Sequence, residues 1–179
     1  YDQGLVGEQM CFKTLAGPVE GWRVDESQYR VALNLPSVLD LNRKGNVAYV
    51  ELGNPGVPHA VRLVDKDILQ NRDSLREELR NLRFDPAFPK GANVNYCHLV
   101  GEGEAQVLTF ERGVEDLTLA CGTGCGSTAC VLWKKGLLPG KRLTAQVPGG
   151  TLKITIEGET EVEKLLLEGP TEVAEILDI

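Results

Sequence analysis

The most chemically distinctive stretch of this sequence is LTLACGTGCGSTACVLW, residues 117–133. A strand-like run leads into Cys121, and glycines follow at 122 and 124 before a series of small residues. The pattern predicts that Cys121 stands at the start of a helix. The first turn of a helix carries about half a positive charge and unpaired N–H groups. These can lower a cysteine pKa from about 8.5 to between about 3.5 and 7.5. The N–H groups of Gly122 and Thr123 could bind a carboxylate or oxyanion beside the thiol.

Packing is the alternative explanation for every cysteine, because cysteine is among the most buried residue types. We expect packing for four of the five cysteines, namely Cys11, Cys97, Cys125 and Cys130. For Cys121, function and packing are about equally expected. The glycine-rich turn lacks the lysine of a phosphate-binding loop and the glycine spacing of a dinucleotide site. No CxxC pair is present, so no metal site is predicted.

Two charged residues, Glu111 and Arg112, lie upstream of Cys121 across a short acidic turn. An arginine can clamp a carboxylate in bidentate fashion, and a glutamate can pair with an ammonium group. An ordinary surface ion pair is the alternative. Together with Cys121, Gly122 and Thr123, the pair is consistent with an amino-acid-binding site.

Composition restricts the classes of protein that this chain can belong to. The chain has 179 residues, a net charge of −7, 42% hydrophobic and 25% charged residues, which suits one large or two small globular domains. It lacks both a basic cluster and the roughly 18 consecutive apolar residues of a membrane helix, so we expect neither a nucleic-acid nor a membrane partner. The odd number of irregularly spaced cysteines argues against a disulfide framework and suits a reducing cytoplasm.

Short strand patterns dominate the chain and two helices interrupt them, which predicts an α+β fold. One amphipathic helix is predicted over 67–82 with Asp67 as its cap, and GPVEG at 17–21 is predicted to form a turn. The second helix begins near Cys121 and ends at Gly136, which suits a left-handed cap. This second helix carries few polar side chains, so we expect a strand-rich, barrel-like cage around a central buried helix.

Four segments of the sequence resemble motifs of the diaminopimelate epimerase family. These are GVPHAV (56–61), FPKGANVNY (88–96), ERGVEDLTLACGTG (111–124) and VPGGTLKI (147–154). They occur in the family's order and span most of the chain. The short CGTG element alone is not specific, because proline racemases have a similar Cys-Gly-Thr-Gly.

The resemblance implies a cofactor-independent epimerase in which two cysteines exchange protons at the α-carbon of diaminopimelate, a precursor of lysine and the cell wall. It implies two pseudo-symmetric halves with the substrate between them. Cys121 would be the second catalytic cysteine, and Gly122 and Thr123 would bind the α-carboxylate. The remaining roles implied are substrate binding by Asn93, Glu111 and Arg112, tuning of the thiol by Glu111, and assistance in thiol protonation by His59.

Two departures from the family pattern are visible. The family's asparagine two residues before the histidine is Val57 here, unless an insertion brings Asn54 to that position. The family's first cysteine motif, Cys-Gly-Asn-Gly, does not occur in these 179 residues. We therefore expect a fragment in which 1–27 are the trailing strands of the first half, 28–160 form the second half, and 161–179 return to the first.

Three functions remain open at this point. The first is a diaminopimelate epimerase. Its isolated fragment would be inactive, and a homodimer is one assembly open to the complete protein. The second is a related cofactor-free racemase acting on proline, hydroxyproline or another amino acid. The third is a non-catalytic amino-acid-binding module. The pair of Glu111 and Arg112 favours the epimerase, because diaminopimelate carries a distal ammonium and carboxylate that need partners.

Overall fold

The computed structural model describes residues 4–14 and 17–172, in which twelve strands and three helices form. The strands are β1 (Gln9–Thr14), β2 (Gly17–Arg23), β3 (Gln28–Leu33), β4 (Pro36–Lys44), β5 (Val47–Gly53), β6 (Gly56–Leu63), β7 (Asn93–Gly101), β8 (Glu104–Glu111), β9 (Asp116–Thr118), β10 (Arg142–Val147), β11 (Gly150–Glu157) and β12 (Lys164–Pro170). The helices are α1 (Lys66–Gln70), α2 (Arg72–Arg83) and α3 (Gly122–Lys134).

The strands form one mixed sheet in the order β1-β2-β3-β12-β11-β10-β8-β7-β6-β5-β4, with β9 paired to β8. Most neighbours are antiparallel, but β6 pairs with β7 and β10 with β8 in parallel. Helices α1 and α2 connect β6 to β7, and α3 lies in the connection to β10, so each parallel pair has a helical crossover.

The central strands bury both of their faces, because successive side chains of a strand point to opposite sides. One face, which includes Val50, Val61 and Cys97, packs against the buried side of α3. The opposite face, which includes Tyr96 and Phe110, packs against α1 and α2. Helix α3 contacts β4, β5, β6, β7, β10, β11 and β12. This position explains why the helix is almost free of charged side chains.

Helix α3 begins and ends where the sequence predicts. Cys121 is its N-cap, in extended conformation, and Lys135 is its C-cap. Gly136 has a φ of 73°, and its N–H donates to the Trp133 carbonyl while the N–H of Leu137 donates to that of Leu132. These two bonds form a Schellman motif, which satisfies carbonyls at the end of the helix.

Three local predictions are wrong. The helix predicted over 67–82 is two helices, because Asn71 interrupts it and accepts a bond from the N–H of Ser74. Asp67 lies within α1 rather than capping it. The segment 17–21 is not a turn but the start of β2, because all of it pairs with β1. The sequence prediction also omitted β4, whereas the strand-like run before Cys121 overlaps β9.

The prediction of a strand-rich α+β fold is confirmed. Closure of the strands into a cage around α3 stays a prediction, as do the domain boundaries at 27 and 160. In the pairing order given above, β1 and β4 stand at the two ends of the sheet. Of the segment predicted to return to the first half, residues 173–179 lie outside the described residues.

Candidate active site

The thiol of Cys121 lies at the N-terminal end of α3, and the β10–β11 hairpin supports the chain two residues before it. The N–H of Gly149, in the turn of that hairpin, donates to the Leu119 carbonyl at 2.7 Å. The Sγ of Cys121 lies 3.5 Å from the Thr123 hydroxyl. Cys121 itself is only 8% exposed, but Gly122 and Thr123 beside it are partly exposed.

The first N–H groups of α3 are available to an anion. The N–H of Cys125 donates to the Cys121 carbonyl and so begins the helical ladder. Within the described residues, no carbonyl accepts a hydrogen bond from the N–H of Gly122 or Thr123. Two helix N-terminal donors that no carbonyl accepts, on partly exposed residues, can hold a carboxylate, although the N–H of Thr123 also acts on the Cys121 sulfur.

Burial raises the pKa of the Cys121 thiol, and this effect outweighs the helix terminus. The Thr123 hydroxyl and the N–H groups of Gly124 and Thr123 lower the pKa, whereas the charge of Glu111 raises it. The expectation of a lowered pKa for Cys121 is therefore wrong for the described chain, although the helix end does act in the lowering direction. The physical reason is desolvation, which disfavours the charged form of a thiol.

A second group of site residues lies within β6, at the start of β7 and at the end of β8. His59 and Asn93 are directly paired residues of β6 and β7. The Asn93 amide donates to the Pro58 carbonyl at 3.3 Å, and its oxygen accepts from the N–H of Arg112 at 2.7 Å. Asn93 thereby joins the backbone segments that carry His59 and Arg112.

The Arg112 side chain bonds to the loop that precedes β7. Its Nη1 donates to the Lys90 carbonyl at 3.0 Å, and the residue is exposed. Lys90 in turn forms an ion pair with the buried Glu51 at 2.8 Å, and Tyr49 donates to the same carboxylate at 2.6 Å. The loop that bears Lys90 therefore holds the arginine.

His59 is completely buried, and burial lowers its pKa to about 3, with a further lowering by the charge of Arg112. Its ring is neutral at physiological pH. Its Nδ1 lies 3.1 Å from the amide nitrogen of Asn95, while its Nε2 has no partner among the described residues.

Asn95 is the residue that the sequence prediction missed, and it connects the two groups. It is fully buried on β7, and its oxygen accepts from the Thr109 hydroxyl at 2.9 Å. A Cβ built on Gly124 would lie 2.2 Å from that oxygen and 3.2 Å from the Cys121 sulfur. The first turn of α3 therefore passes directly over Asn95. The signal was its position two residues after Asn93, because such residues share one face of a strand.

The remaining residues named from the sequence are Glu111, the alternatives Val57 and Asn54, and the other four cysteines. Glu111 ends β8, partly exposed, and acts on Cys121 through its charge. Val57 is 37% exposed, and Asn54 is exposed in the turn between β5 and β6. Burial raises the pKa of Cys97, Cys125 and Cys130 to about 12, and Cys11 is exposed on β1.

A family model described as "Diaminopimelate epimerase" matches residues 52–172. The chain belongs to the diaminopimelate epimerase family. A diaminopimelate epimerase of Hydrogenobaculum sp. (strain Y04AAS1) is 36% identical over 96% of this chain and 62% of its own length. One from Aquifex aeolicus (strain VF5) is 35% identical over 94% of this chain and 61% of its own length. The chain thus spans about three fifths of the length of these relatives.

Solved structures that resemble this member of the diaminopimelate epimerase family support the fold. A probable proline racemase from Agrobacterium radiobacter K84 has a TM-score of 0.63 and 18% identity, covering 97% of this chain and 64% of its own. A phenazine biosynthesis protein of the PhzF family from Bacillus anthracis has a TM-score of 0.60 and 13% identity, covering 94% and 68%. At these identities the likeness concerns the fold alone.

Two further properties concern only the residues that the structure describes. None of their helices is long and apolar enough to cross a membrane. They also contain no group of three or more His, Cys, Asp or Glu side chains arranged to hold a metal ion.

Proposed function

We propose that this chain carries one half of the active site of a cofactor-independent epimerase that interconverts LL- and meso-diaminopimelate. The observation that carries the proposal is the N-terminal end of α3, where the Cys121 thiol stands beside the N–H groups of Gly122 and Thr123, which no described carbonyl accepts. Membership of the diaminopimelate epimerase family supports the choice of substrate.

The arrangement suits proton transfer at a carbon next to a carboxylate. The two N–H groups would hold the α-carboxylate, which gains negative charge when the α-proton leaves. Cys121 would then lie beside the α-carbon on one face. Because burial raises its pKa, Cys121 rests as a thiol, which is the proton-donating form. In the reverse direction, the same group would act as the thiolate that removes the proton.

The neighbouring side chains would bind the rest of the substrate. The charge of Glu111 acts on the Cys121 thiol. In the proposed function Glu111 would both pair with an ammonium group of the substrate and tune the pKa of that thiol. Arg112 would bind a carboxylate after exchanging its bond to the Lys90 carbonyl for one to the substrate. Asn93 would contact the substrate beside the backbone of Arg112, and His59 would assist thiol protonation.

The finer architecture is part of the same proposal. We place α3 inside a cage of strands that forms the second of two pseudo-symmetric halves, with residues 28–160 as its body. Residues 1–27 and 161–179 would belong to the first half, which would supply the second catalytic cysteine. A cytoplasmic location and a homodimer of the complete protein remain predictions.

The test is α-proton exchange in D₂O, measured together with inversion of LL-diaminopimelate. We compare this 179-residue chain with the complete gene product that contains it. The complete protein should incorporate deuterium and invert the substrate. The chain alone should do neither, because inversion needs groups on both faces of the carbon and its other buried cysteines have a pKa of about 12.

Variants of the complete protein distinguish the site from general damage. Cys121→Ser should lower the rate by at least about 100-fold, the smaller end of what a positioned acid or base contributes. Cys11→Ser, at the exposed cysteine of β1, should leave the rate unchanged. If the 179-residue chain inverted the substrate at a rate near that of the complete protein, the proposal that the second catalytic cysteine lies in the first half would be refuted. Exchange with proline instead of diaminopimelate would favour a proline-type racemase, and binding without exchange would favour a binding module.

A further inference from the structure

The side-chain amide of Asn95 has only one orientation that suits its surroundings. Its nitrogen lies 3.3 Å from the carbonyl oxygens of Ala60 and Asn93, which can only accept hydrogen bonds. Its oxygen lies 2.9 Å from the Thr109 hydroxyl, which can donate. Reversing the amide would place its oxygen against two carbonyl oxygens in a fully buried site, where acceptor faces acceptor and no hydrogen bond can form.

This orientation determines which nitrogen of His59 carries the proton. The Asn95 amide nitrogen, a donor, lies 3.1 Å from Nδ1 of His59. That ring nitrogen must therefore accept, and in a neutral imidazole the other nitrogen then holds the hydrogen. Nε2 is the buried atom that has no partner among the described residues. The free position of the ring is consequently an N–H donor.

We propose that Asn95 is a positioning residue that holds His59 as the Nε2–H tautomer, so that the ring nitrogen without a partner among the described residues is a hydrogen-bond donor. In this state His59 can donate a hydrogen bond to a thiolate or carboxylate. It cannot take a proton from a thiol, because Nδ1 is occupied by Asn95. The catalytic consequence rests on the proposed epimerase function, whereas the tautomer itself does not.

The contacts around Asn95 distinguish this role from that of a polar residue that merely fills the core. Its two amide hydrogens are shared among three acceptors, one of which is the histidine. Thr109 fixes the opposite end of the amide. Gly124 leaves room for its oxygen beneath α3, where any Cβ would overlap with it. Asn95 therefore holds the histidine from directly beneath the proposed catalytic helix.

The tautomer can be measured by long-range ¹H–¹⁵N correlation NMR of the ¹⁵N-labelled chain at neutral pH. The chain has two histidines, so few signals need to be assigned. His98 is an internal reference, because its Nδ1 lies 3.1 Å from the Val64 carbonyl and must donate. We expect unprotonated Nδ1 and protonated Nε2 for His59, with a protonated Nδ1 for His98. A protonated Nδ1 on His59 in the unmodified chain overturns the proposal.

A substitution then tests whether Asn95 is the cause. In Asn95→Asp, an acceptor replaces the donor opposite Nδ1, so the His59 Nδ1 signal should change to the protonated type. Asn81→Asp, the same change at an exposed position of α2, should leave the spectrum unchanged. Retention of the original tautomer in a folded Asn95→Asp variant also overturns the proposal. If that variant does not fold, the spectrum of the unmodified chain decides alone.

The catalytic consequence is tested by measuring diaminopimelate exchange in variants of the complete protein. Asn95→Asp should change the pH profile of kcat for diaminopimelate exchange, whereas Asn81→Asp should not. An unchanged profile alongside a changed tautomer would contradict the catalytic consequence. If the complete protein has no epimerase activity, the proposed function fails, but the tautomer experiment still gives its own answer.

Discussion

The substitution Gly124→Ala adds a single methyl group at the most crowded point beneath α3. The new Cβ would lie 2.2 Å from the Asn95 oxygen and 3.2 Å from the Cys121 sulfur. The first distance is far inside van der Waals contact. Asn95 cannot withdraw without breaking bonds to Thr109, Ala60 or Asn93, because all of them hold its amide in place. We therefore expect the first turn of α3 to be displaced from β7 and at least one of these bonds to be lost.

The expected cost combines three contributions. Alanine favours a helix over glycine by about 1 kcal/mol. Inserting a methyl group into a packed core costs about 1–3 kcal/mol. A broken hydrogen bond that leaves a buried amide unsatisfied costs a further 1–3 kcal/mol or so. The sum is a loss of about 3 kcal/mol in the free energy of unfolding, which is smaller than the total stability of a typical domain.

Denaturation by urea measures this loss, with two glycines as controls. A Cβ added at Gly126, on the same buried helix, has as its nearest atoms the flexible ends of Leu33, Leu165 and Leu52, so Gly126→Ala should cost about 1 kcal/mol or less. Gly140→Ala has nothing within 4 Å of the added Cβ and should change stability by no more than about 0.5 kcal/mol. If Gly124→Ala is as stable as Gly126→Ala, the contact between α3 and Asn95 does not have the proposed rigidity.

Three further predictions concern charge, thiol reactivity and a helix cap. Burial alone would raise the pKa of Glu51, but hydrogen bonds from Lys90 and Tyr49 lower it overall. This stability is present above the unfolded-state pKa of about 4.3 and is lost as the pH falls further, so Glu51→Gln should flatten the acid limb of the stability-against-pH curve. Iodoacetamide at pH 7 should label exposed Cys11 faster than Cys121, whose pKa is raised by burial; mass spectrometry of the digested chain checks the order. Asn71→Ala should cost about 0.5–1 kcal/mol in urea denaturation, because the N–H of Ser74 loses its acceptor; an unchanged midpoint would refute the cap.

Much of the fold was predictable because its signals are local. Alternating apolar residues indicated most strands, and the Cys-Gly-Thr-Gly turn followed by Gly136 bounded α3 within a residue or two. The failures were also local. Asn71 caps α2 instead of continuing a helix, and a glycine-proline pair at 17–18 begins a strand where a turn was predicted. In both cases a bond formed by the folded chain overrode an intrinsic preference.

In the candidate site, too, the residues with local signals were predictable from the sequence and a residue defined by long-range contacts was not. The sequence identified Cys121, Gly122 and Thr123, because these residues are consecutive in the chain and a single strand-to-helix turn places them side by side. It could not identify Asn95, which acquires its role only when His59, 36 residues earlier in the chain, and the first turn of α3, near Gly124, meet at β7.

The pKa of Cys121 shows why residue type and spacing are not sufficient. The sequence by itself determined that a thiol would stand at the start of a helix, with unpaired N–H groups beside it. A helix terminus lowers the pKa of a thiol. Only the tertiary structure decided that the sulfur is buried among packed strands, where desolvation raises the pKa by more than the terminus lowers it. Desolvation depends on every neighbouring atom, and those neighbours come from segments distant in the chain.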